Sequence, residues 1–358
     1  LDLRRIDPTY HLHFGDGSTL SLTSDLNALQ AQLEVIEPGS FGGLMRYLDE
    51  GRRHYDLVFT HVAGRNFSSA LEYFTPKNLL LILRLKALAR HYANLGKYFG
   101  DERLRIAFTF QDLYVGLSPY QAPATYSLLQ YAELANGVWF PRGGMYRLVE
   151  ALTGIAEKNG VRFMYDAPVE RIQVNGRQAR GIALANGQEL EAGVLVANAD
   201  LPYVYHSLLP DDGMVDRLHR KKYTCSTITF CWGVGKQVPQ LGAHNLFIAG
   251  DFRQGMEHIF QDLSLPEEPS FYVHAPARID PTLAPEGQDT LTVVVPVGHI
   301  DEPSLNGDLQ HREPRDWDAL RRRARRFVFQ RLDEMGITDL EEQIRGTRLQ
   351  HIISHRCQ

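Results

Sequence analysis

The chain has 358 residues, enough for two domains or for one large domain with an insertion. Hydrophobic residues make up 44% and charged residues 23%, as in ordinary globular proteins, and the net charge of −5 gives no reason to expect nucleic acid as a partner. Its three scattered cysteines exclude a disulfide framework and form no metal-binding pattern, so we expect no metal and a reducing, cytoplasmic environment. The sequence contains no apolar run long enough to span a bilayer.

A β-hairpin followed by a helix is predicted near the start of the chain. Segments 10–14 and 18–22 have strand-like composition and are separated by a Gly-Asp-Gly turn. Thr23 or Ser24 is expected to cap the helix, whose apolar residues recur with helical spacing until a Pro-Gly pair stops it. Residues 41–135 are predicted to be largely helical.

Residues 76–92, PKNLLLILRLKALARHY, are basic and apolar and include no acidic residue. One interpretation is an amphipathic helix buried against the rest of the protein. The other is a helix that lies in a membrane interface with its basic side chains at the headgroups. Composition alone leaves both open.

The stretch 101–134 is dense in aromatic residues. These residues could line a long apolar cavity or form an ordinary aromatic core, and composition does not separate the two. The aromatic residues that we consider for ligand contact are Phe108, Tyr114, Tyr126, Tyr131 and, just beyond this stretch, Trp139.

Residues 137–200 have the pattern of an α/β nucleotide-binding unit: strand, Gly-Gly turn, helix and strand. The helix that follows Gly143 and Gly144 would present backbone N–H groups to an anion such as a diphosphate, although a simple tight turn has the same pattern. Residues 194–197 are predicted to form a buried parallel strand. Residues 198–200 would then lie beyond its carboxyl end, where ligands bind, although Asn and Asp also cap helices.

Further strands are predicted along this half of the chain. The run VRFMY, residues 161–165, follows the helix, and two Asn-Gly pairs indicate hairpins. The runs STITFCWGV, SFYVHAPA and DTLTVVVPV are predicted strands, and a charged helix begins near Asp316. Its arginine run, Arg321–Arg326, is expected to form a solvated helix face rather than a phosphate site.

Three stretches together resemble the bacterial and fungal phytoene desaturases, which are FAD-dependent carotenoid desaturases related to the amine-oxidase flavoproteins. They are SPYQAPATYSLLQYAELANGVWFPRGGMYRLVEALTGIAEKNGVRF, VLVANADLPYVY and FYVHAPARIDPTLAPEGQDTLTVVVPVGHI. The Ala-Pro-Glu-Gly segment at 284–287 is specific to this family, and the likeness runs from about residue 10 to residue 345.

The resemblance implies a mixed α/β fold with a Rossmann-like FAD-binding domain and an interleaved domain that binds substrate and membrane. It implies a substrate and membrane-contact region at 1–136, the returning part of the FAD domain at 137–200, a substrate-domain sheet and helix at 201–345 and an atypical tail at 346–358. The family's G-x-G-x-x-G loop and its C-terminal glycine-rich segment are not in this sequence. We therefore expect a fragment with an incomplete FAD site and poor solubility.

The resemblance also implies positions for the cofactor. The residues concerned are Phe140, Arg142, Gly143 and Gly144 on the flavin side, Val169 at the adenine, and Asn198, Ala199 and Asp200 near the ribose and diphosphate.

The implied reaction removes a hydride and a proton from neighbouring carbons of phytoene, with FAD as the hydride acceptor. Asp101 and Glu133 are candidate proton acceptors because they flank the aromatic stretch. A substrate that dissolves in bilayers favours the membrane interpretation of residues 76–92. The alternatives are another polyene substrate (a later carotenoid, a C30 precursor or retinol) and a non-catalytic fragment that binds apolar ligands. The sequence leaves the oligomeric state open.

Overall fold

The structure is a computed structural model. It describes residues 1–67, 69–210, 213–219, 221, 223–299 and 316–352. Residues 353–358 of the predicted tail lie outside the described residues.

The described part of the chain is a mixed α/β structure, as the sequence predicts. The strands are β1 (Leu3–Ile6), β2 (Tyr10–His13), β3 (Thr19–Leu22), β4 (Val138–Pro141), β5 (Val169–Asn175), β6 (Gln178–Leu184), β7 (Glu189–Glu191), β8 (Ser226–Val234), β9 (His244–Phe247), β10 (Phe271–His274), β11 (Asp289–Val297) and β12 (Ile344–Ile352). The α-helices are α1 (Leu26–Ile36), α2 (Ser40–His61), α3 (Ala70–Tyr73), α4 (Pro76–Arg84), α5 (His91–Leu95), α6 (Glu102–Ala107), α7 (Ser127–Asn136), α8 (Tyr146–Lys158), α9 (Leu201–Tyr203), α10 (Met214–His219), α11 (Phe252–Phe260), α12 (Trp317–Glu334) and α13 (Leu340–Gln343).

A seven-stranded sheet is the centre of the fold, with the strand order β12-β8-β11-β10-β9-β2-β3. Its neighbours are antiparallel except for β2 and β9, which are parallel. The N-terminal hairpin β2–β3 therefore joins a sheet whose other strands come from the second half of the chain. The two halves share one sheet, so the segments 1–136 and 201–345 are parts of the same packed body.

The period-2 pattern of β11 separates the two faces of this sheet. Leu291, Val293 and Val295 are buried in a core that also contains the α12 residues Val328 and Leu332. The intervening residues of β11 face the opposite side, where the helical first third of the chain packs. The predicted strands at β8 and β11 and the helix capped by Asp316 are all confirmed.

The cap of the first helix lies one residue after Ser24 and two after Thr23, the two caps that the sequence suggested. Asp25, not Thr23 or Ser24, accepts hydrogen bonds from the N–H groups of Asn27 and Ala28, at 2.9 and 3.1 Å. Asp satisfies the free N–H groups of a helix as well as Ser or Thr does, so composition does not distinguish these neighbours.

The segment 76–92 is not one continuous helix. It forms α4, then a turn in which Lys86 has a φ of 50°, and then α5. Leu85 is buried, whereas Leu80 and Leu83 are 50% and 66% exposed. Among the described residues, no helix has both the length and the apolar character needed to cross a membrane.

The region 137–200 is built from small separate pieces. β4 pairs with β1, and β5, β6 and β7 form a three-stranded antiparallel sheet around the two predicted Asn-Gly turns. The predicted strands at 161–165 and 194–197 are not formed, and Val194 and Val196 are 83% and 85% exposed. A strand needs a neighbour to satisfy its backbone groups, and the described residues provide none at these two segments.

The end of the described chain is regular, although its sequence has no clear pattern. β12 pairs antiparallel with β8 along the edge of the main sheet, with a bulge between Ile344 and Gly346. The edge of β8 supplies the backbone hydrogen bonds of β12, so this strand forms although its residues show no strand pattern.

Candidate functional site

An apolar cavity of about 340 Å³ lies against the main sheet, on the face opposite α12. Its volume falls in the range of small-molecule pockets. The lining residues are Tyr10, Phe110, Leu113, Tyr114, Cys225, Thr227, Leu246, Ile248, Phe252, Ser270, Phe271, Tyr272, Val294 and Pro296. Hydrocarbon and aromatic groups predominate, so the cavity suits a ligand that offers apolar surface rather than charge.

Three distant segments supply its aromatic wall. The ring of Tyr10 on β2 is 5.1 Å from Phe110 and 6.3 Å from Tyr114, both of which lie on the 3₁₀ turn at residues 110–115. Tyr10 is also 6.4 Å from the ring of Tyr272 on β10. Edge-to-face and offset contacts of this kind stabilise a rigid aromatic surface.

A buried carboxyl group lies behind this wall. Glu133 on α7 accepts a hydrogen bond from Nε2 of Gln111 at 3.3 Å, and the Gln111 amide also donates to Gln130. Burial raises the pKa of Glu133 to about 7, against the opposing effect of hydrogen bonds from Gln111 and Tyr114. An acid with this pKa can exchange a proton near neutral pH, which is the property required of a general base or acid.

A series of ring contacts connects the cavity wall to β4. His244 is 5.4 Å from Tyr10 and 4.7 Å from His274, and His274 is 5.8 Å from Phe140. Burial, together with the nearby His274 and His11, lowers the pKa of His244 to about 3. The imidazole is therefore neutral at physiological pH and contributes to the column as an uncharged ring.

The turn at residues 142–144, which the sequence predicts to lie near the cofactor, is held in place by the carboxylate of Asp280. The N–H of Gly143 donates to Oδ2 of Asp280 at 2.6 Å, and the hydroxyl of Thr282 donates to Oδ1 at 2.7 Å. The N–H of Arg142 donates to the carbonyl of Asp2 at 2.8 Å. The turn is thus fixed to the Asp-Pro-Thr-Leu segment, which the sequence singled out only as part of a resemblance.

The start of α8 is a glycine turn followed by a helix N-terminus. Gly143 and Gly144 have φ values of 84° and 92°, a region that favours glycine. Met145 precedes α8 without a side-chain cap, and the first turn of the helix carries no acidic residue. The positive end of the helix dipole favours a negative group at this position, and the Asp280 carboxylate on the Gly143 N–H is such a group.

The other predicted cofactor residues are not brought together by a described contact. Val169 begins β5 and pairs with Leu184. Asn198 and Ala199 are exposed, and Asp200 precedes α9. Their roles at the ribose, diphosphate and adenine stay predictions.

The predicted aromatic residues divide into separate locations. Tyr114 lines the cavity, whereas Phe108 is fully buried and stacks on Phe99 at 5.1 Å. Tyr131 contacts Tyr55 on α2, and Trp139 is 51% exposed on β4. Tyr126 ends a short 3₁₀ turn and is half-buried.

The two candidate proton acceptors have opposite environments. Asp101 caps α6 and forms an ion pair with Arg103 at 2.7 Å. The hydrogen bond from Arg103 lowers the pKa of Asp101, which makes this carboxylate a weak base. Glu133 has the raised pKa and lies behind the cavity wall.

The sequence does not indicate the cavity residues Tyr10 and Tyr272, because only the pairing of distant strands brings them to Tyr114.

Comparison with known proteins agrees with this architecture. Residues 2–305 match the family described as flavin containing amine oxidoreductase. The structure is similar to that of the PF1083 protein from Pyrococcus furiosus, with a TM-score of 0.53 and 11% identity over 98% of this chain and 69% of that chain.

Two curated relatives carry the name phytoene desaturase. The chain is 41% identical to the zeta-carotene-forming phytoene desaturase of Myxococcus xanthus, over 97% of this chain and 65% of that protein. It is 39% identical to the phytoene desaturase of Cercospora nicotianae, over 94% of this chain and 59% of that protein. The chain thus spans about three fifths of the length of these relatives, and the resemblance expected from the sequence is confirmed. With most of its residues matched by the family, the chain belongs to the flavin containing amine oxidoreductases.

Proposed function

We propose that this protein acts as an FAD-dependent phytoene desaturase. The observation that carries the proposal is the apolar, aromatic-walled cavity, in a chain about 40% identical to proteins of that name. Phytoene is a hydrocarbon, so recognition must rest on shape and apolar burial rather than on hydrogen bonds. The names of these relatives favour phytoene over the other polyenes and over a non-catalytic role.

The residues of this chain would hold and orient the substrate. The rings of Tyr10, Phe110 and Tyr272 would position the hydrocarbon chain of the substrate. The main sheet would form a rigid wall of the cavity. The apolar lining would exclude water from the reacting carbons. We propose that the turn at Gly143 and Gly144, which Asp280 holds in place, lies on the flavin side of bound FAD, and that FAD would supply the hydride acceptor.

We also propose peripheral membrane association. The segment 71–88 exposes a group of apolar side chains with basic residues beside them. The exposed apolar residues are Leu71, Tyr73, Phe74, Leu79, Leu80, Leu83 and Leu88. An apolar surface with flanking Lys and Arg suits the interface of a bilayer, where phytoene is dissolved. A cytoplasmic location remains a prediction from the cysteine content.

The proposed function is tested by incubating the FAD-bound protein with phytoene in liposomes and separating the products. We expect additional conjugated double bonds in the product. Val294→Phe, which fills the cavity from β11, should lower kcat/KM about 10-fold or more because the hydrocarbon loses its space. Val35→Phe on the exposed face of α1 is the matched control and should leave the rate unchanged. No product from the FAD-bound protein would contradict the proposal.

A further inference from the structure

A buried chain of three polar side chains reaches the 3₁₀ turn at residues 110–115, which carries part of the cavity wall and is called the cavity turn below. Nδ1 of His91 on α5 is 3.0 and 2.8 Å from Oδ1 and Oδ2 of Asp112. Nε2 of His91 is 2.8 Å from the hydroxyl of Tyr47 on α2. The side chains of His91 and Asp112 are 2% and 0% exposed, and Tyr47 is fully buried. The chain therefore lies in the protein interior.

The cavity turn directs its side chains to different sides. Residues three apart in a 3₁₀ turn lie on the same face. Phe110 and Leu113 share such a face and line the cavity, as Tyr114 does. Asp112 belongs to another face, is not part of the cavity lining and contacts His91 instead. The carboxyl group thus joins the turn to α5 without occupying the space of a ligand.

The geometry assigns the hydrogen atoms of this chain. The Tyr47 hydroxyl donates to the carbonyl of Phe108 at 3.1 Å, and a hydroxyl has one hydrogen, so Nε2 of His91 is the donor to Tyr47. One further hydrogen lies between Nδ1 of His91 and Asp112. The pair then has no net charge, whichever of the two carries this hydrogen, and a neutral pair suits a buried position. Burial raises the pKa of the Asp112 carboxyl, against the opposing effect of His91, in agreement with a retained proton.

The other end of the chain is fixed because α2 and α5 are joined at a second point. One helical turn beyond Tyr47 and His91, Nδ2 of Asn94 donates to Oε1 of Glu50 at 2.6 Å. The N–H of His91 also donates to the carbonyl of Ala122 at 2.8 Å. The carboxyl group of the cavity turn is therefore bonded to an imidazole whose own position is fixed.

We propose that Asp112 and His91 are positioning residues, which set the place of the aromatic cavity wall through the cavity turn. The inference rests on the proposed desaturation, in which the rings must align a hydrocarbon that offers no hydrogen-bonding group. A displacement of about 1 Å can slow an enzymatic reaction roughly 100-fold, even when its cause lies away from the reacting atoms. Neither residue lines the cavity, so both act through the rings of the turn and not on the substrate itself.

The first experiment measures the affinity of the full chain for diphenylhexatriene, a rigid apolar polyene that becomes fluorescent when it leaves water. Asp112→Leu and His91→Leu should each weaken its binding about 10-fold, because the wall is no longer held in one place. The matched control is His54→Leu, which should leave the affinity unchanged. His54 is likewise a buried histidine, but its Nδ1 lies 2.7 Å from the hydroxyl of Ser127, which is not part of the cavity turn. Equal affinities for Asp112→Leu and the wild type would contradict the inference.

A second pair of variants separates the hydrogen bonds from the volume of the side chains. Asp112→Asn keeps the size of the side chain, and its amide N–H can donate to Nδ1 of a neutral His91, so the affinity should stay within about 2-fold of the wild type. Tyr47→Phe removes one hydroxyl and leaves Nε2 of His91 without an acceptor, so it should weaken binding about 3-fold. Where the leucine variants do not fold, an unchanged affinity of the folded Tyr47→Phe variant overturns the inference.

The third experiment measures desaturation of phytoene by the FAD-bound protein. Asp112→Leu and His91→Leu should each lower kcat about 10-fold, whereas Asp112→Asn should keep the rate. The double leucine variant should be no slower than the slower single variant, because both changes remove the same contact. Additive losses would indicate that the two residues act separately and would contradict the inference.

The outcomes separate the inference from the function on which it rests. If the wild-type protein binds the fluorescent polyene but forms no desaturated product with FAD bound, the proposed function fails, and the affinities alone decide whether the chain positions the wall. If the wild-type protein is active and Asp112→Leu keeps both kcat and affinity, only the positioning role is wrong.

Discussion

At the scale of single residues, Asp280 connects the cavity sheet to the turn at Gly143. Its two oxygens accept from the Gly143 N–H, the Thr282 N–H and the Thr282 hydroxyl. These donors, the Gly143 N–H first among them, lower the pKa of the Asp280 carboxyl. A depressed pKa means that the carboxylate stabilises the folded state above its ordinary pKa, and that this contribution is lost as the pH falls through the lowered value.

Asp280→Ala should therefore loosen the turn that precedes α8. We expect a lower midpoint of urea unfolding at pH 7 and weaker retention of FAD, because the Gly143 N–H loses its acceptor. The difference between variant and wild type should shrink at acidic pH, where the wild-type carboxylate is also neutralised. Glu286→Gln, on an exposed residue of the same loop, is the control. Equal midpoints for variant and wild type at pH 7 would contradict this role.

The surroundings of single residues also decide which of the two candidate acids, Asp101 or Glu133, suits proton transfer. Asp101 and Glu133 have the same functional group and flank the same aromatic stretch, so the sequence treats them alike. Arg103 stabilises the charged form of Asp101, whereas the buried position of Glu133 disfavours its charge. Only the folded surroundings produce this difference.

At the scale of secondary-structure elements, α4 and the turn after it carry the proposed membrane contact. Leu80, Leu83 and Leu88 are between 50% and 81% exposed, whereas Leu85 belongs to the buried residues. The break at Lys86, whose Nζ pairs with Glu50, separates Leu80 and Leu83 on α4 from α5, and Leu88 lies in the turn between the two helices. The apolar surface is therefore short and lies at the protein's exterior.

Replacing Leu80, Leu83 and Leu88 with Ser should weaken binding to liposomes. Each exposed leucine that enters the interface contributes roughly 1–2 kcal/mol at most, so the triple change should reduce co-sedimentation strongly. Leu26→Ser with Val35→Ser, two exposed residues of α1, should leave binding unchanged. Undiminished co-sedimentation of the folded triple variant would rule out this surface as the membrane contact.

At the scale of the whole molecule, the apolar face of α8 is not covered by the rest of the described chain. The helix has an apolar face of Leu148, Val149, Leu152 and Ile155, and none of its residues is buried. These four side chains are between 40% and 58% exposed. Contiguous apolar surface of this kind is a site of association.

We expect the isolated chain to self-associate at micromolar concentration through this face. Val149→Lys with Leu152→Lys should shift the protein toward a monomer in size-exclusion chromatography with light scattering, because the charges oppose apolar contact. The same substitution at Val35, also exposed but isolated on α1, should have no such effect. A monodisperse wild-type monomer at this concentration would show that the exposed face is tolerated.

The sequence by itself determined the local elements and the family likeness. Alternating residues predict β8 and β11, Gly-Asp-Gly and Asn-Gly pairs predict the hairpins, and helical spacing predicts α1, α8 and α12, because these patterns act between near neighbours. The runs at 161–165 and 194–197 have the composition of strands but form none, since a strand also depends on a partner.

Only the tertiary structure decided which residues share the cavity. Tyr10, Tyr114 and Tyr272 come from segments more than a hundred residues apart, and the parallel pairing of β2 with β9 brings them together. The raised pKa of Glu133 and the bond from Gly143 to Asp280 have the same origin. Burial and long-range hydrogen bonds depend on the whole packed chain, so no local pattern of residues could have indicated them.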